Sequence, residues 1–122
     1  LALLIARHGG QGAAPALRRE ASAVTIARDI LETRFAEDVG LPDLVAATGL
    51  SATRVIRAFQ RETGLTPHAY LMDRRFRAAT RLLLRGDPPA DVATAAGFYD
   101  QSHLNRVFKA RMGITPGAYR AV

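Results

Sequence analysis

Apolar residues recur three and four apart along this chain and no stretch alternates at period two, so the pattern predicts helices throughout. Leu1 to His8 is apolar enough for a helix, and Gly9 to Pro15, with three glycines and a proline, reads as a break. Leu17 to Ser22 then reads as a linker or a short helical extension. From Val24 the positions Val24, Ala27, Ile30, Leu31 and Phe35 form one apolar face, with Arg28, Glu32 and Arg34 left to solvent.

Boundaries after that helix are set by capping chemistry. Gly40 suits an N-cap, Pro42 the first turn, and Asp43 places a carboxylate beside unsatisfied amides. A short helix through Leu44, Val45 and Ala47 ends at Thr48. Gly49 follows as a left-handed turn residue, and Ser51 caps a helix carrying Val55 and Phe59. Short helix, glycine turn and capped second helix is the helix-turn-helix arrangement. Gly64 closes this helix, Thr66 caps the next, and Pro67 opens a run to Leu84 free of internal glycine or proline. Tyr70, Leu71, Phe76, Ala79, Leu83 and Leu84 alternate there with Arg74, Arg75, Arg77 and Arg81. The run predicts an amphipathic helix roughly 25 Å long, able to hold two lobes at a fixed separation.

The arrangement then repeats. Gly86 to Pro89 breaks the chain, Asp91 takes the place of Asp43, and a short helix over Pro89 to Ala96 meets Gly97. Phe98 is expected to plug the core, and a helix from Gln101 to Met112 to bury Leu104, Val107, Phe108 and Met112. Gly113 stops it, and Thr115-Pro116 starts a last turn with Tyr119 inward. Phe59 pairs with Phe108, Gly64 with Gly113, Thr66-Pro67 with Thr115-Pro116, and Tyr70 with Tyr119, all 49 apart; Gly49 and Gly97 are 48 apart. One residue is therefore inserted between the turn glycine and the helix of the second copy. A repeat of this length implies two similar supersecondary units.

Charge travels with the repeat. The 122 residues carry a net charge of +6, but residues 1–50 hold five basic and six acidic side chains against twelve and five in residues 51–122. Such asymmetry points to an anionic partner, nucleic acid before membrane. No segment is long enough to span a bilayer, and the chain reads as soluble. The absence of cysteine suits an intracellular, cytoplasmic setting and excludes thiolate chemistry. The sequence calls for no cofactor and no metal, because His8, His68 and His103 lack ligand spacing. It also reads as non-enzymatic. Ser102 and His103 beside Asp100 point in different directions on a helix, and Asp100 is better placed as a helix-start carboxylate.

The same helical geometry selects candidate readers. Arg57 lies about 200° from both Val55 and Phe59, and Arg106 about 200° from both Leu104 and Phe108, so each arginine faces away from its own core. Arginine matches the two acceptors of guanine in the major groove. Thr53 and Gln60 share the face of Arg57; Ser102 and Lys109 share that of Arg106, flanked by Gln101 and Asn105, whose amides suit adenine edges. Arg54, Arg61, Arg74, Arg75 and Lys109 are candidate phosphate contacts. The aromatics fall at core spacing, which disfavours single-stranded RNA. A helical protein-interaction module without DNA contact is the alternative.

The run G-F-Y-D-Q-S-H-L-N-R-V-F-K at Gly97 to Lys109, followed by G-I-T-P-G-A-Y-R, closely resembles the signature of AraC/XylS-type transcription regulators, and the likeness covers residues 24–122. It implies an all-α domain of seven helices, with two helix-turn-helix lobes (24–66 and 86–122) joined by a long central helix (67–85) and reading adjacent major grooves of double-stranded DNA. Carried residue by residue, base contacts fall on Thr53, Ile56 and Arg57, and on Gln101, Ser102, His103 and Arg106. Leu104 stands where the family usually has phenylalanine, and Pro88 where a serine or threonine cap is common. Residues 1–22 resemble the last helix and linker of an upstream sensor. The chain, which starts without methionine, then reads as part of a longer protein whose effector acts through that missing N-terminal domain. Recruitment of RNA polymerase is a further implication of the resemblance.

Overall fold

The computed structural model describes residues 10–121, with side chains from residue 14. The expected helix over Leu1 to His8 lies outside them. Among the described residues all regular structure is helical: α1 (Gly10–Thr33), α2 (Leu41–Thr48), α3 (Ala52–Thr63), α4 (Pro67–Leu84), α5 (Pro89–Ala96), α6 (Gln101–Met112) and α7 (Pro116–Arg120). They form two compact units. The first takes residues up to Ile30 with Gly40–His68; the second takes Leu31–Val39 with everything from Ala69 onward.

The first helix departs from the sequence expectation. No break occurs over 10–15: α1 is continuous for 24 residues with Pro15 inside it. Proline removes one backbone donor, but the following Ala16-Leu17-Arg18-Arg19-Glu20-Ala21 are strong helix formers, and Ala23, Val24 and Ala27 anchor the helix by burial. The helix also stops earlier than its apolar pattern. Phe35 lies beyond Thr33, in a turn where the Glu37 N–H bonds to the Arg34 carbonyl at 3.0 Å.

In the first unit, Ala23, Val24 and Ala27 of α1 meet Val55, Ala58 and Phe59 of α3 around a small void. The Gly40 N–H donates to the Asp43 carboxylate at 2.8 Å, and the Ser51 hydroxyl accepts from the Arg54 N–H at 3.3 Å, so both predicted caps form. Gly49 ends α2 at φ 74° and Leu50 turns into the core.

The second unit is built on Phe108, which has no exposed surface. Its ring lies 5.3 Å from Phe76 and 5.1 Å from Tyr119, the latter edge-on, and Leu83, Val92 and Leu104 complete the cluster. Truncating a buried ring of this kind costs about 3–5 kcal/mol. The N-cap of α5 is Pro88, which has no N–H to give Asp91, so the carboxylate bond seen at Gly40 has no counterpart. Two expected core residues lie outside: Met112 is 41% exposed and Leu84 is 63% exposed. Each occupies the last position of its helix.

Gly97 does more than supply a turn. Its φ is +88°, and a Cβ there would lie 2.6 Å from the Phe35 carbonyl oxygen and 2.9 Å from the Ala36 Cα. Gly113, at φ +77°, would meet nothing within 4 Å. Gly97→Ala is therefore expected to lower the urea midpoint far more than Gly113→Ala, which carries only the left-handed strain of about 1–3 kcal/mol. Equal losses would show that the backbone approach at Gly97 costs nothing.

Candidate nucleic-acid interface

Helix α6 presents its candidate readers because α5, Gly97 and the α6 cap fix its start. Asp100 accepts from the His103 N–H at 2.8 Å, so its carboxylate is the helix-start acceptor expected from the sequence. Leu104 and Phe108 face inward. Gln101, Ser102, Arg106 and Lys109 are exposed, and Asn105 is half-buried. His103 is held in place: its Nδ1 accepts the Tyr99 N–H at 3.3 Å and its ring lies edge-on to Phe98 at 5.4 Å. Only Nε2 of that ring is left to face a partner. On α3, Thr53, Arg57 and Gln60 are exposed, while Ile56 is half-buried. The side chains of Arg57, Arg106 and Lys109 have no hydrogen-bonded or ionic partner among the described residues.

The other candidate phosphate contacts are occupied. Arg54 donates Nε and Nη2 to Glu20 Oε2 at 3.2 and 3.0 Å, and Arg61 donates Nη2 to Glu20 Oε1 at 3.0 Å. These hydrogen bonds, Arg61's before Arg54's, hold the Glu20 carboxyl below its ordinary range. Arg74 stacks over the Phe35 ring at 3.9 Å. Its Nε lies 2.8 Å from Glu32 but off the hydrogen-bonding line, so charge and stacking hold the pair. Arg75 donates to the Phe35 carbonyl at 2.7 Å and the Glu37 carbonyl at 2.9 Å; burial lowers its pKa, with Asp38 opposing. Arg74 and Arg75 thus tie the turn after α1 to α4, within the second unit. Outside the candidate set, Arg111 is bound to Asp73 at 3.0 Å and stacks over Phe76 at 4.3 Å.

One exposed residue was missed by the pattern of core aromatics. Tyr99 is 90% exposed, immediately ahead of α6. Leu50 follows Gly49 and Phe98 follows Gly97, both buried, so the residue inserted in the second copy is Tyr99 itself. The unequal offsets of 48 and 49 were the signal for it.

Among the described residues no cluster of histidine, aspartate or glutamate could hold a metal ion, and no helix is long and apolar enough to cross a membrane.

Comparisons with known proteins agree with this geometry. A family profile described as "Helix-turn-helix domain" matches residues 44–121. The transcriptional activator NphR of Rhodococcus is 39% identical over 105 residues, covering 85% of this chain and 31% of that protein. An HTH-type regulator of Bacillus subtilis, YbfI, is 41% identical over 76 residues, 62% of this chain and 28% of its own. The chain thus spans about a third of the length of such relatives. Among solved structures, the C-terminal domain of AraT from Geobacillus stearothermophilus superposes with a TM-score of 0.76 at 27% identity, over 81% of this chain and 84% of that one. The DNA-binding domain of AdpA, solved with a target DNA, gives 0.69 at 31% identity, over 84% and 89%.

Two stability outcomes follow from the occupied arginines. Arg75→Ala, leaving two backbone carbonyls without their donor, is expected to cost about 1–3 kcal/mol in chemical unfolding, against about 0.5 or less for exposed Lys109→Ala. Similar small losses would show that Arg75 is not structural. The second concerns acid. The Tyr70 hydroxyl, and then the Arg77 and Arg74 charges, outweigh burial and lower the Glu32 pKa from 4.5. A carboxyl lowered in the fold stabilises fully above its unfolded pKa and loses that contribution as pH falls through the folded one. Wild type should therefore lose more stability than Glu32→Gln below about pH 4.5; parallel acid curves would contradict this.

Proposed function

The chain belongs to the AraC-type family of helix-turn-helix domains, and from that premise we propose that it is the double-stranded DNA-binding part of a transcription regulator. The observation that carries the reading is that α3 and α6 keep unpaired basic side chains on their exposed faces. Arg106, Lys109 and Arg57 stand free beside the exposed polar groups of α3 and α6, while Arg54, Arg61, Arg74, Arg75 and Arg111 are paired inside the molecule.

Arg106 reads a guanine edge, with Gln101, Ser102 and Asn105 beside it for adenine or mixed edges. Arg57 does the same from α3, where Thr53 is its hydroxyl neighbour and Ile56 offers apolar contact to a thymine methyl. Lys109 neutralises a backbone phosphate, and the exposed Tyr99 hydroxyl donates to another. His103 orients the turn that carries Tyr99. Arg74 and Arg75 leave the phosphate set, since their donors hold the fold. The domain works by binding and not by covalent chemistry: Ser102 has no base, because His103 Nδ1 already accepts the Tyr99 amide.

The sensor and effector belong to an upstream part of the protein, and recruitment of RNA polymerase to activate transcription is the expected output in a bacterial cytoplasm. The likeness to the transcriptional activator NphR supports the sense of activation.

Duplexes selected by the chain from a random library supply the test. Arg106→Ala should lose about 1–3 kcal/mol on the selected duplex and little on random DNA. Lys109→Ala should weaken both equally and reduce the salt slope by about one. Equal losses for Arg106→Ala on both duplexes would remove its reading role, and failure of the chain to retard any duplex at low salt would favour a protein-interaction module.

A further inference from the structure

Arg54, Arg57 and Arg61 lie within about 60° of one another on α3 and form one basic stripe. Arg57 is free, but the two outer arginines converge on a single carboxylate. Arg54 takes Glu20 Oε2 with two donors, and Arg61 takes Oε1. Each oxygen has its own arginine, as a backbone phosphate would offer. The Glu20 side chain is only 16% exposed, whereas those of Arg54 and Arg61 are 43% and 49% exposed, so the acid is covered and the guanidinium groups stay within reach of a partner. Glu20 sits one turn ahead of Ala23, where the buried face of α1 begins, and it is in place only because α1 continues where a linker was expected.

We infer that Glu20 is a specificity-setting residue: its carboxylate stands in for phosphate on Arg54 and Arg61 and withholds both from sequence-independent contacts with DNA. The inference rests on the DNA-binding reading above. Non-specific affinity comes almost wholly from phosphate neutralisation. A carboxylate that occupies two arginines lowers that background while leaving the base-reading groups of α3 and α6 untouched, and it widens the ratio between specific and random sites. An upstream element that shifted this part of α1 would release both arginines together.

The test uses fluorescence anisotropy of the 122-residue chain on a random-sequence duplex and on its selected duplex, across a salt series. Glu20→Gln is expected to bind random DNA more tightly and to steepen the log–log salt slope by about 1.8, two phosphates' worth. Its advantage over wild type then shrinks about twelvefold between about 50 and 200 mM salt. Affinity for the selected duplex should rise by less than for random DNA, so selectivity falls; equal gains on the two duplexes would overturn the specificity-setting role. Arg54→Ala/Arg61→Ala, which leaves the core contacts of α3 in place, is expected to change the wild-type slope little and to abolish the whole Glu20→Gln gain.

An unchanged or weakened Glu20→Gln would overturn the inference, as would a gain that persists without the two arginines, since that is a general charge effect. A wild-type slope reduced by about 1.8 on removing the arginines would overturn it independently of how well Glu20→Gln folds. If neither wild type nor Glu20→Gln binds any duplex, the DNA-binding reading fails and this inference with it; wild-type binding with any of the preceding results removes this inference alone.

Discussion

Phe59 and Phe108 have no exposed surface, and a helix turns by about 100° per residue. Burying each ring obliges the arginine two positions earlier to face away from the core. Arg57 and Arg106 are therefore presented by packing and need no hydrogen bond of their own to be aimed. The rest of each motif serves to keep that helix start in register: Gly49 or Gly97 turns the chain left-handed, Leu50 or Phe98 plugs the core, and Ser51 or Asp100 caps the first free amides. The buried face and the exposed polar face of each helix follow from one periodicity.

Net charge alone would have overcounted the surface offered to DNA. Glu20, Glu32 and Asp73 each gather two or more arginines. Exposed ion pairs of this sort add little stability singly, but they decide which guanidinium groups remain available. In the second unit Arg74, Arg75 and Arg111 are further committed by stacking on Phe35 and Phe76 or by bonding to carbonyls. On α3 and α6 the basic side chains left free are Arg57, Arg106 and Lys109, beside the exposed polar positions of those helices; Arg18, Arg19 and Arg28 on α1 and Arg81 on α4 are unpaired as well.

The local chemistry of the fold was legible in the sequence. Caps at Gly40, Ser51 and Asp100 and stops at Gly49, Gly64, Gly97 and Gly113 depend on a few neighbouring residues, and all form. What escaped depends on partners more than thirty positions away. Nothing near Glu20 announces Arg54 and Arg61, and nothing near Phe35 announces Arg74 and Arg75. Pro15 misled because its cost, which is local, is outweighed by the good helix formers after it and by burial further along α1. Met112 and Leu84 misled because an apolar residue at the last position of a helix satisfies the pattern without reaching the core. Tyr99 was visible only as a discrepancy of one residue between two copies.

The central claim is that packing aims Arg106 at a base edge. Methylation interference at guanine N7 addresses it directly, because the added methyl blocks the acceptor a bidentate arginine needs in the major groove. On the selected duplex, wild type is expected to show one guanine whose methylation abolishes binding, and Arg106→Ala should tolerate methylation at that guanine while keeping the rest of the pattern. An identical interference pattern for both proteins would contradict the account.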